Sequence, residues 1–284
     1  MNRLRGMITA ADEIASADTR ENANSAMDTS DCLTSSAEIS ALHQLDNRRA
    51  AAVLASVDYR RCTSIQAPLH YERGYRYPLL IWLHGDGGDE QQLQFVMPHI
   101  SLRNYVAAAP RGTASVADER FDDGEPGTEG FFWRQDDDHI FLAQDRIAHC
   151  IELACERYNV HPERVFLAGY QSGGTMALRI ALSDPDRFAG AISMCGPLPT
   201  GGAPFGRFVD ARRVAVMIAA GLSDRSYPQW RVFNDLRLLH IASVRTTLRF
   251  YPGADELTDL MLDHLNCWVM EQVCPPSSSV AKAR

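Results

Sequence analysis

The sequence predicts an α/β domain built on a mostly parallel central sheet with helices on both faces. Three observations carry the prediction. Apolar runs of strand length recur along the chain, among them Tyr77-Pro78-Leu79-Leu80-Ile81-Trp82-Leu83 and Val214 to Ala220. Longer segments with helical periodicity separate them, as in Ile140 to Tyr158 with Ile140, Ala143, Ile147, Ile151 and Ala154 on one face. The strands are continuously apolar instead of alternating, which is the pattern of strands buried on both sides.

Taken in order, residues 1–36 are rich in Ala, Ser, Thr, Asn and Asp and have no hydrophobic period. Such a segment buries too little apolar surface to offset its ordering entropy, so a disordered extension is expected, in which Met7 and Met27 are alternative first residues. Residues 37–57 are expected to form a leading helix, with Ile39, Leu42, Leu45, Ala52 and Leu54 near one face and Ser35 or Ser36 as its cap. The main domain then spans 58–274. Strands are expected at Tyr77 to Leu83, Val106 to Ala109, Arg164 to Ala168, Ala189 to Met194, Val214 to Ala220 and Thr246 to Tyr251. Helices are expected at Ile140 to Tyr158, Gly173 to Leu182, Trp230 to Ala242 and Leu257 to Val273. The tail, residues 275–284, is expected to be loose.

Composition narrows the function classes. The chain has 284 residues, 45% of them hydrophobic, enough for a substantial core. A formal net charge of −8 argues against a nucleic-acid partner, which selects a basic face. The seven cysteines include no CxxC pair, which favours reduced thiols in a reducing compartment and packing roles for Cys150, Cys155 and Cys195. No secretory h-region and no membrane-length apolar run is visible, so a cytoplasmic protein without a membrane span is expected.

Four blocks in one order carry the chemistry. They are Leu83-His84-Gly85-Asp86-Gly87-Gly88-Asp89 after a strand, Val165 to Ala177 across a strand, turn and helix, Gly221 to Pro228, and Tyr251 to Thr258. Together they resemble the phospholipase/carboxylesterase family of α/β-hydrolases, the group that includes acyl-protein thioesterases, over about Tyr59 to Val273. The resemblance implies an α/β-hydrolase fold, no cofactor and no metal. It also implies an acyl-transfer site, with its nucleophile at the apex of Gly169-Tyr170-Gln171-Ser172-Gly173, its acid at Asp224 and its histidine at the position of Asp255.

Ester hydrolysis on this fold needs a nucleophile on a strained strand-to-helix turn, a histidine base and an acid that orients the histidine. Here Gln171 stands at the nucleophile position, and its amide has no nucleophilic or ionisable atom. Asp255 stands at the histidine position. Asp224 is retained, although an Asp in such a turn also serves turn geometry. The paired substitutions predict that the Gln171 amide donates to the Asp255 carboxylate. Ser172 is the alternative nucleophile, in a frame that puts Tyr170 and Gly174 at the flanks, and otherwise it begins the helix. The backbone N–H groups of Ser172 and of the Gly85-Asp86 loop are expected to converge on an anion. The resemblance also implies that the stretch Phe121 to Trp133, with the acidic run after it, lies over the pocket, so Phe131, Phe132 and Trp133 are expected to line an acyl groove.

Three readings follow. The first is a pseudoenzyme that keeps a pocket for a small acyl or carboxylate-like ligand, or for a protein partner, docked in one version by residues 1–36. The second is an active carboxylesterase or thioesterase using Ser172 and a displaced histidine. The third is attack by water assisted by Asp255. Asp136-Asp137-Asp138-His139 is read as a solvated loop and not a metal site, and Arg207, Arg212 and Arg213 as a solvated edge.

Overall fold

The structure, a computed structural model, describes residues 62–116, 130–201 and 206–274. The extension 1–36, the leading helix 37–57, the tail 275–284 and most of the stretch Phe121 to Trp133 lie outside the described residues. In chain order the strands are β1 (Thr63–Gln66), β2 (Tyr77–Leu83), β3 (Val106–Pro110), β4 (Ala114–Ser115), β5 (Phe131–Phe132), β6 (Val160–Tyr170), β7 (Gly190–Met194), β8 (Ala215–Gly221) and β9 (Arg245–Tyr251). The helices are α1 (Gln92–Ile100), α2 (Asp137–Arg157), α3 (Ser172–Ser183), α4 (Phe208–Ala211), α5 (Gln229–Ile241) and α6 (Asp259–Val273).

The central sheet runs β1-β3-β2-β6-β7-β8-β9, parallel throughout except for β1, which pairs antiparallel with β3 at one edge. The pleat sends successive residues to opposite faces. Leu79, Ile81 and Leu83 of β2 pack with α2, α3 and α5, while Leu80 and Trp82 pack with α1 and α6. Every residue of β2, β3, β7 and β8 is buried, so the continuous apolar runs have the two-sided cover that they predict.

Besides the short β4, β5 and α4, which the sequence reading does not include, three elements depart from it. β1 has the sequence TSIQ and is half-buried at the edge, so it carries no apolar run to read. α1 buries Leu93, Val96, Met97 and Ile100, a clear i, i+3, i+4, i+7 pattern, but Gln-rich neighbours and Pro98 obscure it. The acidic run read as a solvated loop is the start of α2. Asp136 caps the helix by accepting from His139 N–H, and Asp137 and Asp138 occupy the first turn, where negative charge suits the helix dipole. Among the described residues no group of three or more His, Cys, Asp or Glu could hold a metal ion, and no helix is long and apolar enough to cross a membrane.

Candidate functional site

The site forms where β6 runs into α3. Gln171 sits between them with φ 49° and ψ −120°, a left-handed backbone that a non-glycine residue adopts only when its surroundings compel it. The surroundings are the two flanking glycines. A Cβ on Gly169 would come within 2.4 Å of the Gly173 backbone, and one on Gly173 within 2.4 Å of the Leu83 and His84 carbonyl oxygens. The small positions therefore stand two residues either side of Gln171. Tyr170 and Gly174, the flanks of a turn centred on Ser172, do not form that pair.

The Gln171 amide bridges two other segments. Its Nε2 donates to Asp255 Oδ2 at 3.1 Å, the hydrogen bond that the paired substitutions predict. Its Oε1 accepts from the Asp86 backbone N–H at 3.1 Å. The neighbouring Gly85 N–H donates to Gln92 Oε1 at 3.2 Å. Both N–H groups of the loop expected to meet an anion thus have partners inside the protein.

Asp255 lies in the loop between β9 and α6, and the Tyr170 hydroxyl donates to its backbone carbonyl. Asp224 lies in the turn after β8 and is 4% exposed. Its Oδ1 accepts from the N–H groups of Ser226 and Tyr227 at 2.8 and 2.9 Å. Its Oδ2 is buried and has no hydrogen-bond partner among the described residues. Ser172 opens α3, and its hydroxyl accepts from the Trp133 N–H at 3.2 Å.

The corner opens into a cleft of about 330 Å³ lined by Asp86, Gln171, Ser172 and Asp255 together with Cys195, Leu198, Pro199 and Arg231. Trp133 is placed differently from the acyl-groove reading. It is 1% exposed, donates from its indole to the His84 carbonyl at 3.1 Å and belongs to the core beneath the elbow. It supports Ser172 from below and is not among the cleft-lining residues. Nor is any described histidine. His84 is fully buried, its Nε2 accepting from Gly112 N–H at 2.7 Å and its Nδ1 bonded to the Gly85 carbonyl at 2.8 Å. Burial holds its pKa below the ordinary imidazole value, so it remains a neutral structural group. Burial likewise pushes the Cys195 thiol up to about 12, which makes it inert as a nucleophile at neutral pH.

Two positioning groups escaped the sequence reading. Arg179, 2% exposed on α3, donates to Gln135 Oε1 and to the Thr200 and Gly201 carbonyls, tying down one cleft wall. Asp235 on α5 accepts from Leu198 N–H at 2.8 Å and from the Tyr227 hydroxyl at 2.9 Å, tying down another. Arg179 is a lone charge within a stretch of α3 buried from Gly173 to Leu182, and Asp235 stands on the buried face of α5 with Val232 and Leu239; a charged residue at such positions was the available signal.

Comparison with known proteins agrees with the fold. Residues 55–277 match the family model described as "Esterase: Putative esterase". The chain is 32% identical over 124 residues to "Putative esterase NocK" of Nocardia uniformis subsp. tsuyamanensis, covering 43% of this chain and 34% of that protein, so the match spans about a third of NocK. It is 23% identical to "Probable carboxylesterase SOBER1-like" of Arabidopsis thaliana, over 70% of this chain and 80% of that one. Among solved structures it is similar to the Bacillus cereus carboxylesterase, with a TM-score of 0.56 at 19% identity over 74% of this chain and 93% of that one. It is also similar to Arabidopsis thaliana SOBER1, with a TM-score of 0.57 at 19% identity over 70% of this chain and 100% of that one.

Proposed function

This chain belongs to the Esterase family, among the phospholipase/carboxylesterase-type α/β-hydrolases, and on that premise we propose that it binds a small ligand in its cleft without hydrolysing it. One observation carries the reading: the Gln171 amide occupies the nucleophile position and bridges the Asp86 N–H and the Asp255 carboxylate. An acyl-enzyme route needs an atom to attack the carbonyl and a base to take its proton. A carboxamide supplies neither, and the group it meets is a second acid. A carboxylate entering the corner would also have to displace Gln171 Oε1 from Asp86 N–H. The reading therefore places the apolar part of a ligand along Leu198 and Pro199 and leaves the corner to its internal bridge.

Asp224 supports the same reading. Its Oδ2 is an acceptor without a partner among the described residues, which is what remains when an imidazole N–H is taken away. The test is the double replacement Gln171→Ser with Asp255→His, assayed with p-nitrophenyl acetate and a fluorophosphonate probe. The parent protein is expected neither to label nor to turn over, and the double variant to gain both. Labelling of the parent at Ser172 with turnover would return the function to a serine esterase. Turnover without labelling would instead favour water attack assisted by Asp255.

A further inference from the structure

The cleft carries charge of opposite sign in two places. Its acids, Asp86 and Asp255, stand at the elbow, where the Asp86 N–H donates to Gln171 Oε1 and the Asp255 carboxylate accepts from Gln171 Nε2. Among the described residues that line it, the basic one is Arg231, in the first turn of α5. Arg231 lies one helical turn before Asp235, and residues four apart share a helix face. Asp235 accepts from Leu198 N–H, so Arg231 belongs to the α5 wall beside Leu198 and not to the elbow. Arg179 gives its N–H groups to Gln135, Thr200 and Gly201 and is fixed by them. Arg231 has no such anchors. Among the described residues its guanidinium forms no ion pair, and Asp235 uses Oδ2 for Leu198 N–H and the Tyr227 hydroxyl instead. A half-buried planar cation with five N–H donors thus lines the cleft with no acceptor supplied by the described residues.

We propose that the cleft takes a short aliphatic carboxylic acid, with its carboxylate paired to Arg231 and its chain along Leu198 and Pro199. A carboxylate offers two acceptor oxygens that match the guanidinium fork. Arg231 attracts the anion while Asp86 and Asp255 repel it from the elbow, so charge sets which end of the ligand lies against α5. This orientation leaves the Gln171 bridge intact, whereas an acyl group placed for attack would bring its carbonyl to the elbow. A cleft of about 330 Å³ holds a chain of several carbons. The inference rests on the non-hydrolytic reading and names the ligand class for it.

The test titrates sodium hexanoate into the full chain labelled with nitrogen-15, with hexanamide as the neutral isostere and sodium sulfate as the control for ionic strength and for anions in general. The expected result is a saturable shift of the Arg231 Nε–H and Leu198 N–H signals with hexanoate alone. Arg231→Gln should weaken binding by at least about tenfold, the scale of one charge-assisted hydrogen bond. Arg231→Lys keeps the charge and loses the fork, so it should weaken binding less, and it keeps the test open if Arg231→Gln fails to fold. Arg237→Gln removes an exposed charge from the same helix outside the cleft and should leave the affinity unchanged. No saturable shift, an equal response to hexanamide or sulfate, or equal losses in Arg231→Gln and Arg237→Gln would overturn the proposal. A protein that ignores both hexanoate and the fluorophosphonate probe removes this inference alone, whereas labelling of Ser172 removes the reading beneath it.

Discussion

Gln171 keeps a backbone conformation that costs a non-glycine residue on the order of 1–3 kcal/mol, although its side chain performs no attack. What offsets the strain is the pair of hydrogen bonds from its amide, one to each flanking loop. The same economy of single groups holds at Asp235, a buried carboxylate whose pKa is raised by burial despite the donors of Leu198 and Tyr227. Replacing it by alanine strands a buried N–H and a buried hydroxyl together. Asp235→Ala is therefore expected to lose roughly 1–3 kcal/mol in urea unfolding, while Asp235→Asn, which keeps an acceptor oxygen, should lose less than half of that. Equal losses in the two variants would mean that the acceptor role has been misread.

At the level of elements, the elbow depends on how closely α3 approaches the end of β2. Gly173 sits against the Leu83 and His84 carbonyls, and both are backbone atoms that cannot swing away. Gly173→Ala should push α3 from the sheet and cost more than about 3 kcal/mol in the same unfolding measurement. At Gly174 the nearest atom to a new Cβ is the Ser193 hydroxyl oxygen, the end of a side chain that can rotate. Gly174→Ala should therefore be markedly milder, and a reversal of that ranking would contradict the packing described.

Across the whole molecule, His84 joins the end of β2 to the segment after β3 through Gly112 N–H. Burial lowers its pKa from 6.5, so below that pH the unfolded chain takes up a proton that the folded protein declines. Its contribution to stability is complete above pH 6.5 and is lost as the pH falls from there towards the lowered folded value. The melting temperature should accordingly drop as the pH falls below 6.5, and His84→Gln should flatten that slope. An unchanged slope would assign the acid sensitivity to other groups, with the Glu90–Arg111 pair next in line. Burial raises the Glu90 pKa, but the Arg111 hydrogen bond and charge outweigh it, so the carboxyl is held below its usual range and acts at lower pH.

Apolar runs, helical periods and glycine spacing are local properties, and they are enough to read six of the seven strands of the central sheet, β2, β3 and β6 to β9, most of the longer helices and the frame of the elbow. The strained turn centred on Gln171 was legible because Gly169 and Gly173 lie within five consecutive residues. The polar edge strand β1 and the Pro-containing α1 were not, since each lacks a clear local signature. Trp133 read as a groove residue because aromatic composition does not say which way a ring faces. Only the tertiary structure decided that the Gln171 amide reaches Asp86, 85 residues away, and Asp255, 84 residues away. It alone decided that Asp224 keeps an oxygen without a hydrogen-bond partner among the described residues. The sequence by itself determined which groups are present at the corner. Which of them meet was set by the packing of β2, β6, β8 and β9 at their carboxyl ends, because a hydrogen bond depends on distances of a few tenths of an ångström that no local pattern encodes.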